Sequence, residues 1–289
     1  SQILTHYPTG VGTSMRITEQ ESWTIRDDSA TKIVLPDYVR ELVERIGFIA
    51  RGSELVDQSS GVSARMSISA LEILYSNLER RGALTGDASV FPRLSDLAMI
   101  LPAITGKVEM VYEGEQQGAE VVARKLIGEA VAELFQKTFP AIERAGKSAL
   151  ADRERRGYGE LGDDYGSEVR GGGGKRPGKN GRQQKEQSRP RVQGEADYDS
   201  IVEWFMQGNR ITLSDEQPFR EYFAELSKVP MLAEISRRYF KPATDAELAF
   251  GMELVLEGLH QSLRLSREDL DSTITFSELM KFNILRTVK

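Results

Sequence analysis

The sequence predicts a mainly α-helical chain: a small helical bundle and a second small helical domain, with a flexible stretch between them. Two observations carry this. Apolar residues recur at helical spacing through most of residues 13–145 and again through 197–289. Between them, over 146–196, large aliphatic residues become rare, and Gly171-Gly172-Gly173-Gly174 is followed by Lys175, Arg176, Lys179, Arg182, Lys185, Arg189 and Arg191. A segment of that composition cannot bury enough apolar area to offset its ordering entropy, so it reads as a linker. A third feature stands apart. Gln2 to Tyr7 is a short strand-like run closed by Pro8 and a Gly10-Val11-Gly12 turn. A lone strand needs a sheet to pair its backbone, and the other strands of such a sheet are not evident nearby, so 1–12 reads as the remnant of a sheet that continues upstream.

The elements follow in order. After Pro36, Val39, Leu42, Val43, Ile46 and Ile49 fall on one helical face. Asp57 to Ser63 is polar and turn-rich. The next helix carries Leu71, Leu74, Tyr75 and Leu78 and is expected to stop at Gly82; Ser69-Ala70-Leu71-Glu72 fits a capping box at its start, with Ile68 and Ile73 as a hydrophobic staple. A short helix follows Pro92, with Leu94, Leu97, Ala98 and Leu101. Lys107 to Tyr112 alternates as a brief extended segment. A long helix from about Gln117 to Phe139 has Val122, Leu126, Ala130, Leu134 and Phe135 as its stripe. Four amphipathic helices with short connections can bury their stripes together. Order resumes near Tyr198. Ile201 to Met206, Phe219 to Leu226 and Leu232 to Tyr239 form compact apolar segments, and Thr244-Asp245-Ala246-Glu247 opens a last helix through Leu259.

Composition excludes several functions. There is no cysteine, which removes disulfides and thiolate metal sites and fits a reducing cytoplasm. The two histidines, His6 and His260, lie far apart, so a histidine metal site or Ser-His chemistry is not indicated. No stretch approaches the ~20 apolar residues of a membrane span. The first residues lack a basic n-region and do not form a signal peptide. Gly106-Lys107-Val108 lacks the Ser or Thr of a phosphate-binding loop, and the Gly171–Gly174 run has no strand before it. Asp163-Asp164 belongs to the linker and reads as solvated charge.

One short element stands out: Gly61-Val62-Ser63-Ala64-Arg65, just ahead of the Leu71 helix. A cation at a helix N-terminus opposes the macrodipole, and its presence makes more sense if helix end and guanidinium meet the same anion. Taken alone, a surface arginine with a solvated head is the plainer reading.

The stretch from Gly61 to Phe135 resembles the lid of magnesium-chelatase I subunits and their relatives in the MoxR-like branch of AAA+ ATPases. The runs that carry the resemblance are Val56 to Arg65, Ser76 to Arg81, Pro92 to Asp96, Leu101 to Glu109 and, most closely, Tyr112 to Gly128. The resemblance implies that Arg65 is the sensor-2 arginine, touching the γ-phosphate of ATP from the lid. It implies that 1–12 holds the last strand of the ATPase core, with the Walker motifs, sensor 1 and arginine finger ahead of it, so that ATP and Mg²⁺ belong to the intact parent and not to this chain alone. It also implies a homo-oligomeric ring and a partner with a von Willebrand A domain. The likeness weakens after residue 145, which puts porphyrin metallation in doubt and makes partner remodelling at least as good a reading.

Two other readings compete. A non-enzymatic helical adaptor that binds proteins would leave Arg65 without a chemical role. Nucleic-acid binding through the basic linker is disfavoured, because that linker lacks interleaved aromatics and the whole chain carries a net charge of −6. Arg80 and Arg81, at the far end of the Arg65 helix, are expected to complement its dipole there and to matter little for chemistry.

Overall fold

The computed structural model describes residues 6–26, 31–142, 193–270 and 272–279. The protein is mainly helical with little sheet. In the first segment come α1 (Val11–Glu21), β1 (Lys32–Ile33), α2 (Asp37–Gly52), α3 (Ala64–Thr85) and β2 (Ser89–Val90). A 3-10 helix (Leu94–Ile100) then runs into α4 (Leu101–Thr105), followed by α5 (Tyr112–Gln117) and α6 (Ala119–Thr138). The second segment holds α7 (Gln193–Met206), β3 (Ile211–Ser214), α8 (Phe219–Leu226), α9 (Leu232–Tyr239), α10 (Asp245–Gln261), β4 (Leu265–Leu270) and β5 (Thr273–Glu278). β1 and β2 pair in parallel, while β5 lies between β3 and β4 in an antiparallel sheet.

The apolar stripes fold as their spacing dictates. Val39, Leu42, Val43 and Ile46 of α2 and Val122, Leu126, Ala130, Leu134 and Phe135 of α6 are all buried. Thr244 caps α10, its hydroxyl accepting from the Glu247 amide at 3.2 Å. Other expectations need correcting. Tyr7 lies in no strand, and the remainder of the Gln2–Tyr7 run lies almost entirely outside the described residues. Gly10-Val11-Gly12 is no turn: Gly10 is the N-cap of α1. α3 begins at Ser63, not Ser69, because the Ser63 hydroxyl accepts from the Arg65 amide and closes the first turn earlier. It ends at Gly86, whose φ of 73° takes the left-handed conformation that releases a helix, and not at Gly82. The 146–196 linker lies outside the described residues except for 193–196, which open α7.

The described residues of 197–289 carry the three-stranded sheet besides their helices. Apolar residues of both segments form one cluster, from Val39 to Phe276. α6 packs on α10 so closely that a Cβ at Gly258 would overlap the Phe135 ring, 2.7 Å from its Cζ.

Buried charge also joins the two segments. Arg81 and Asp96, 1% and 0% exposed, form an ion pair. Asp96 further accepts from Asn77 Nδ2 at 2.9 Å and from the Arg93 amide at 2.7 Å. Arg81 donates to the Phe91 carbonyl at 2.7 Å. The Arg93 guanidinium crosses to the second segment, donating to the Ser214 and Gln217 carbonyls at 2.6 Å each and lying 4.1 Å from the Tyr222 ring centroid. From the other side, buried Glu253 of α10 accepts from the Leu94 and Ser95 amides at 2.8 and 3.1 Å, and from the Tyr222 hydroxyl at 2.7 Å. A carboxylate from one segment thereby caps the 3-10 helix of the other, meeting its positive pole and two of its orphan N–H groups. Arg80 adds a bond to Asp215 at 2.9 Å. Arg81 is thus no dipole-complementing surface residue: its charge is committed to Asp96 in the interior.

Asp96→Ala should cost about 3–5 kcal/mol, because it leaves the Arg81 cation buried without its counter-charge. Urea unfolding of the intact chain measures this, and a loss below about 1 kcal/mol, the range of a surface pair, contradicts the assignment. Glu253 gives a pH signature. Burial raises its carboxyl above the ordinary range, although Tyr222, the Leu94 amide and Arg93 oppose the shift. The folded state therefore holds this proton longer than the unfolded state. The contribution is most favourable below the unfolded value and is lost as pH rises through the raised one. The stability difference between wild type and Glu253→Gln should accordingly move against wild type from about pH 4 upward. Urea midpoints of the two proteins across that range test the sign.

Candidate functional site

The N-terminal end of α3 is built from three pieces of chain. The loop from Asp57 to Ser63 is held first by its own polar groups. The Asp57 carboxylate accepts from the Ser59 amide at 2.8 Å and hydroxyl at 2.7 Å, and these bonds lower its pKa. The Asp57 amide donates to the Glu109 carbonyl at 2.9 Å, and Ser60 bonds the Glu109 carboxylate. Gly61 follows with φ of 68°, a backbone conformation that costs most residues about 1–2 kcal/mol. Its bare Cα also admits Tyr7: a Cβ there would lie 3.1 Å from the Tyr7 hydroxyl and 3.2 Å from the ring.

Arg51, in the last turn of α2, ties these pieces together. Its Nε donates to the Val62 carbonyl at 3.1 Å, and its guanidinium carbon lies 5.1 Å from both the Tyr7 and the Phe48 ring centroids. Burial pushes its pKa down, opposed by the field of Glu44. The pinned loop then delivers Ser63 as N-cap and Arg65 in the first turn.

Arg65 is exposed, and no side-chain partner for it is found among the described residues. No acidic residue occupies the first turn of α3, whereas α2, α5, α6, α8, α9 and α10 each carry at least one there. α1 also lacks one, and its N-cap Gly10 lies three residues beyond the Tyr7 that packs on Gly61. The acid-free positive pole of α3 and the Arg65 charge therefore share one end of the bundle, an arrangement suited to a phosphate or carboxylate from outside the chain.

No protein-family model, curated protein or solved structure matches the chain. The site must be argued from its own geometry.

The sequence singles out Arg65 and gives no sign of Arg51 or Tyr7. Neither carries a motif, and only the fold brings residues so distant in sequence together around Gly61. A larger concavity of about 580 Å³ lies between α6, α10 and the sheet. Its Arg267 is already spoken for: burial alone lowers its pKa, but Glu257, 2.6 Å away, and Asp269, 2.8 Å away, reverse the shift and raise it. Among the described residues, no group of three or more His, Cys, Asp or Glu is placed to hold a metal ion, and no helix is long and apolar enough to cross a membrane.

Gly61→Ala should destabilise the chain by about 1–2 kcal/mol through its left-handed backbone alone. Displacement of Tyr7 should appear as increased solvent exposure of that phenol, read by its ultraviolet difference spectrum. An unchanged urea midpoint would show that the loop does not depend on this conformation.

Proposed function

We propose that this chain forms the lid portion of a magnesium-chelatase-type, MoxR-like AAA+ ATPase, with Arg65 as the sensor-2 contact to the γ-phosphate of ATP held by an ATPase core. The observation that carries the reading is the exposed, unpartnered Arg65 at the acid-free N-terminus of a 22-residue helix. Both the guanidinium and the helix pole favour negative charge, so a phosphate there meets two attractions at once. In phosphoryl transfer the protein acts mainly by positioning groups and by placing positive charge where the transferring group develops negative charge. Arg65 would do this from the lid and couple nucleotide state to lid orientation. ATP and Mg²⁺ would bind the intact parent. A homo-oligomeric ring, a von Willebrand A domain partner and a cytoplasmic setting complete the proposal, with remodelling of a partner as its output.

The adaptor reading draws on a different observation. Trp23 and Ile25, 69% and 86% exposed, follow α1 on the surface, and large exposed apolar residues in proximity mark protein contacts. It leaves the charge pattern around Arg65 unexplained, and we rank it second.

In the intact ATPase that this proposal assigns, Arg65→Ala should lower turnover roughly a hundredfold or more, from losing about 2–4 kcal/mol of transition-state stabilisation. The lid should stay folded, with stability changed by no more than about 0.5 kcal/mol, as at other exposed positions. Wild-type turnover by Arg65→Ala would remove the sensor role and favour the adaptor.

A further inference from the structure

α1 is joined to the body of the protein unlike any other long helix here. None of its residues belongs to the hydrophobic core, and none of its apolar side chains packs against that core. Ile17 is exposed. The residues it buries are Ser14 and Thr18, one turn apart, and Ser14 faces a polar seam on α2. In that seam the Ser14 hydroxyl donates to the buried Glu44 carboxylate at 2.6 Å. The Thr18 hydroxyl of α1 is enclosed with no protein hydrogen-bond partner.

The same seam runs on to the Arg65 loop. Glu44, Gly47 and Arg51 share one stripe of α2 at helical spacing. A Cβ at Gly47 would lie 3.1 Å from the Met66 methyl, 3.4 Å from the Ser67 hydroxyl and 3.9 Å from Arg51 Nη2. Arg51 carries Tyr7 and the Val62 carbonyl, and its Nη1 is itself enclosed without a partner. Tyr7 leads directly into α1. The helix is therefore continuous, through Tyr7 and Arg51, with the loop that presents Arg65. Beyond α1, the Trp23 amide donates to Glu72 at 2.9 Å, and Arg26 pairs with Glu79 and donates to Ser76 at 3.1 Å, all on α3. These contacts tether the far end of α1 at the rim without adding to the core.

We propose that α1 is a releasable latch: it lifts from α2 and α3 as a unit while the core stays folded, and its release loosens the 57–63 loop that positions Arg65. The proposal rests on the reading of Arg65 as the functional residue for its meaning, but not for its test. Local openings follow elements that bury little apolar area, and they occur without global unfolding. A latch of this kind lets the presence or absence of α1 on its seam set the order of the Arg65 loop.

Hydrogen exchange of the full chain tests both halves of this. Amides of α1 should exchange at least about a hundredfold faster than those in the middle of α2 and α3. Thr18→Val removes the enclosed hydroxyl of α1 and should slow α1 exchange roughly tenfold. The 57–63 loop should slow with it, while the α6 core is unchanged. Ser14→Ala, which removes the buried bond to Glu44 and leaves the exposed Glu19–Arg40 pair in place, should speed exchange in α1 and the loop together. Wild-type α1 amides as protected as those of α2 would overturn the latch. So would variants that shift α1 and leave 57–63 unmoved, since α1 would then be loose without governing the loop. No nucleotide enters this measurement, so its failure is distinct from a failure of the sensor role, which turnover of Arg65→Ala reads.

Discussion

Everything else in the fold depends on the charges that Arg81, Asp96, Arg93 and Glu253 bury between the two segments. Asp96 gathers Arg81, Asn77 and the Arg93 amide, while Glu253 takes the Leu94 and Ser95 amides and the Tyr222 hydroxyl. Removing either partner of the Arg81–Asp96 pair would leave a buried charge and cost several kcal/mol. Hydrophobic burial is non-directional and would accept several arrangements of α6 against α10. The Glu253 carboxylate accepts only one, in which it sits at the start of the 3-10 helix. Its contribution is as much to specifying the docking as to strengthening it.

That constraint accounts for the contrast between the two ends of α3. Its C-terminal half is fixed by Arg81 and Asn77 in the interior and by Arg80 reaching Asp215. Its N-terminal end is held by a stacked arginine, a glycine with positive φ and a polar seam with unbonded hydroxyls. A helix anchored rigidly at one end can present a residue at the other with little freedom of direction, while the loop ahead of it responds to what packs there. Val62 and Met66, on either side of Arg65, are buried in the core, so what differs at this end is the polar loop ahead of them.

Much of the helical content was legible because each stripe is a local pattern. Val39 to Ile46, Val122 to Phe135 and the Thr244 cap are all read within a single turn or a few turns of chain. The sheet was harder. Thr273-Ile274-Thr275-Phe276 alternates, with Ile274 and Phe276 buried, and period-two reasoning could have found β5. β4 could not be found that way: Ser266, Arg267, Glu268 and Asp269 make it one of the most polar stretches described, and pairing with β5 sets its conformation. The start of α3 was misplaced because Ser63 and Ser69 are both competent caps in sequence, and only the Gly61 turn selects the first. Gly10 and Gly12 suggested a turn for the same reason: glycine marks both turns and helix starts, and packing decides between them.

Buried charge was the least legible feature, for a physical reason. Arg80 and Arg81 at the end of a helix complement its dipole whether they are exposed or enclosed, so local rules give the same reading for both. What separates them is Asp96, fifteen residues away, and Asp215, in the other segment. The candidate site shows the same division. Arg65 announces itself by opposing the dipole of its own helix, a conflict visible within a few residues. Arg51 conflicts with nothing nearby and acquires its role only when Tyr7 and the Val62 carbonyl close around it. A residue in local conflict with its secondary structure is therefore the kind of functional candidate that sequence can supply, whereas the residues that position it become visible only after the chain has folded.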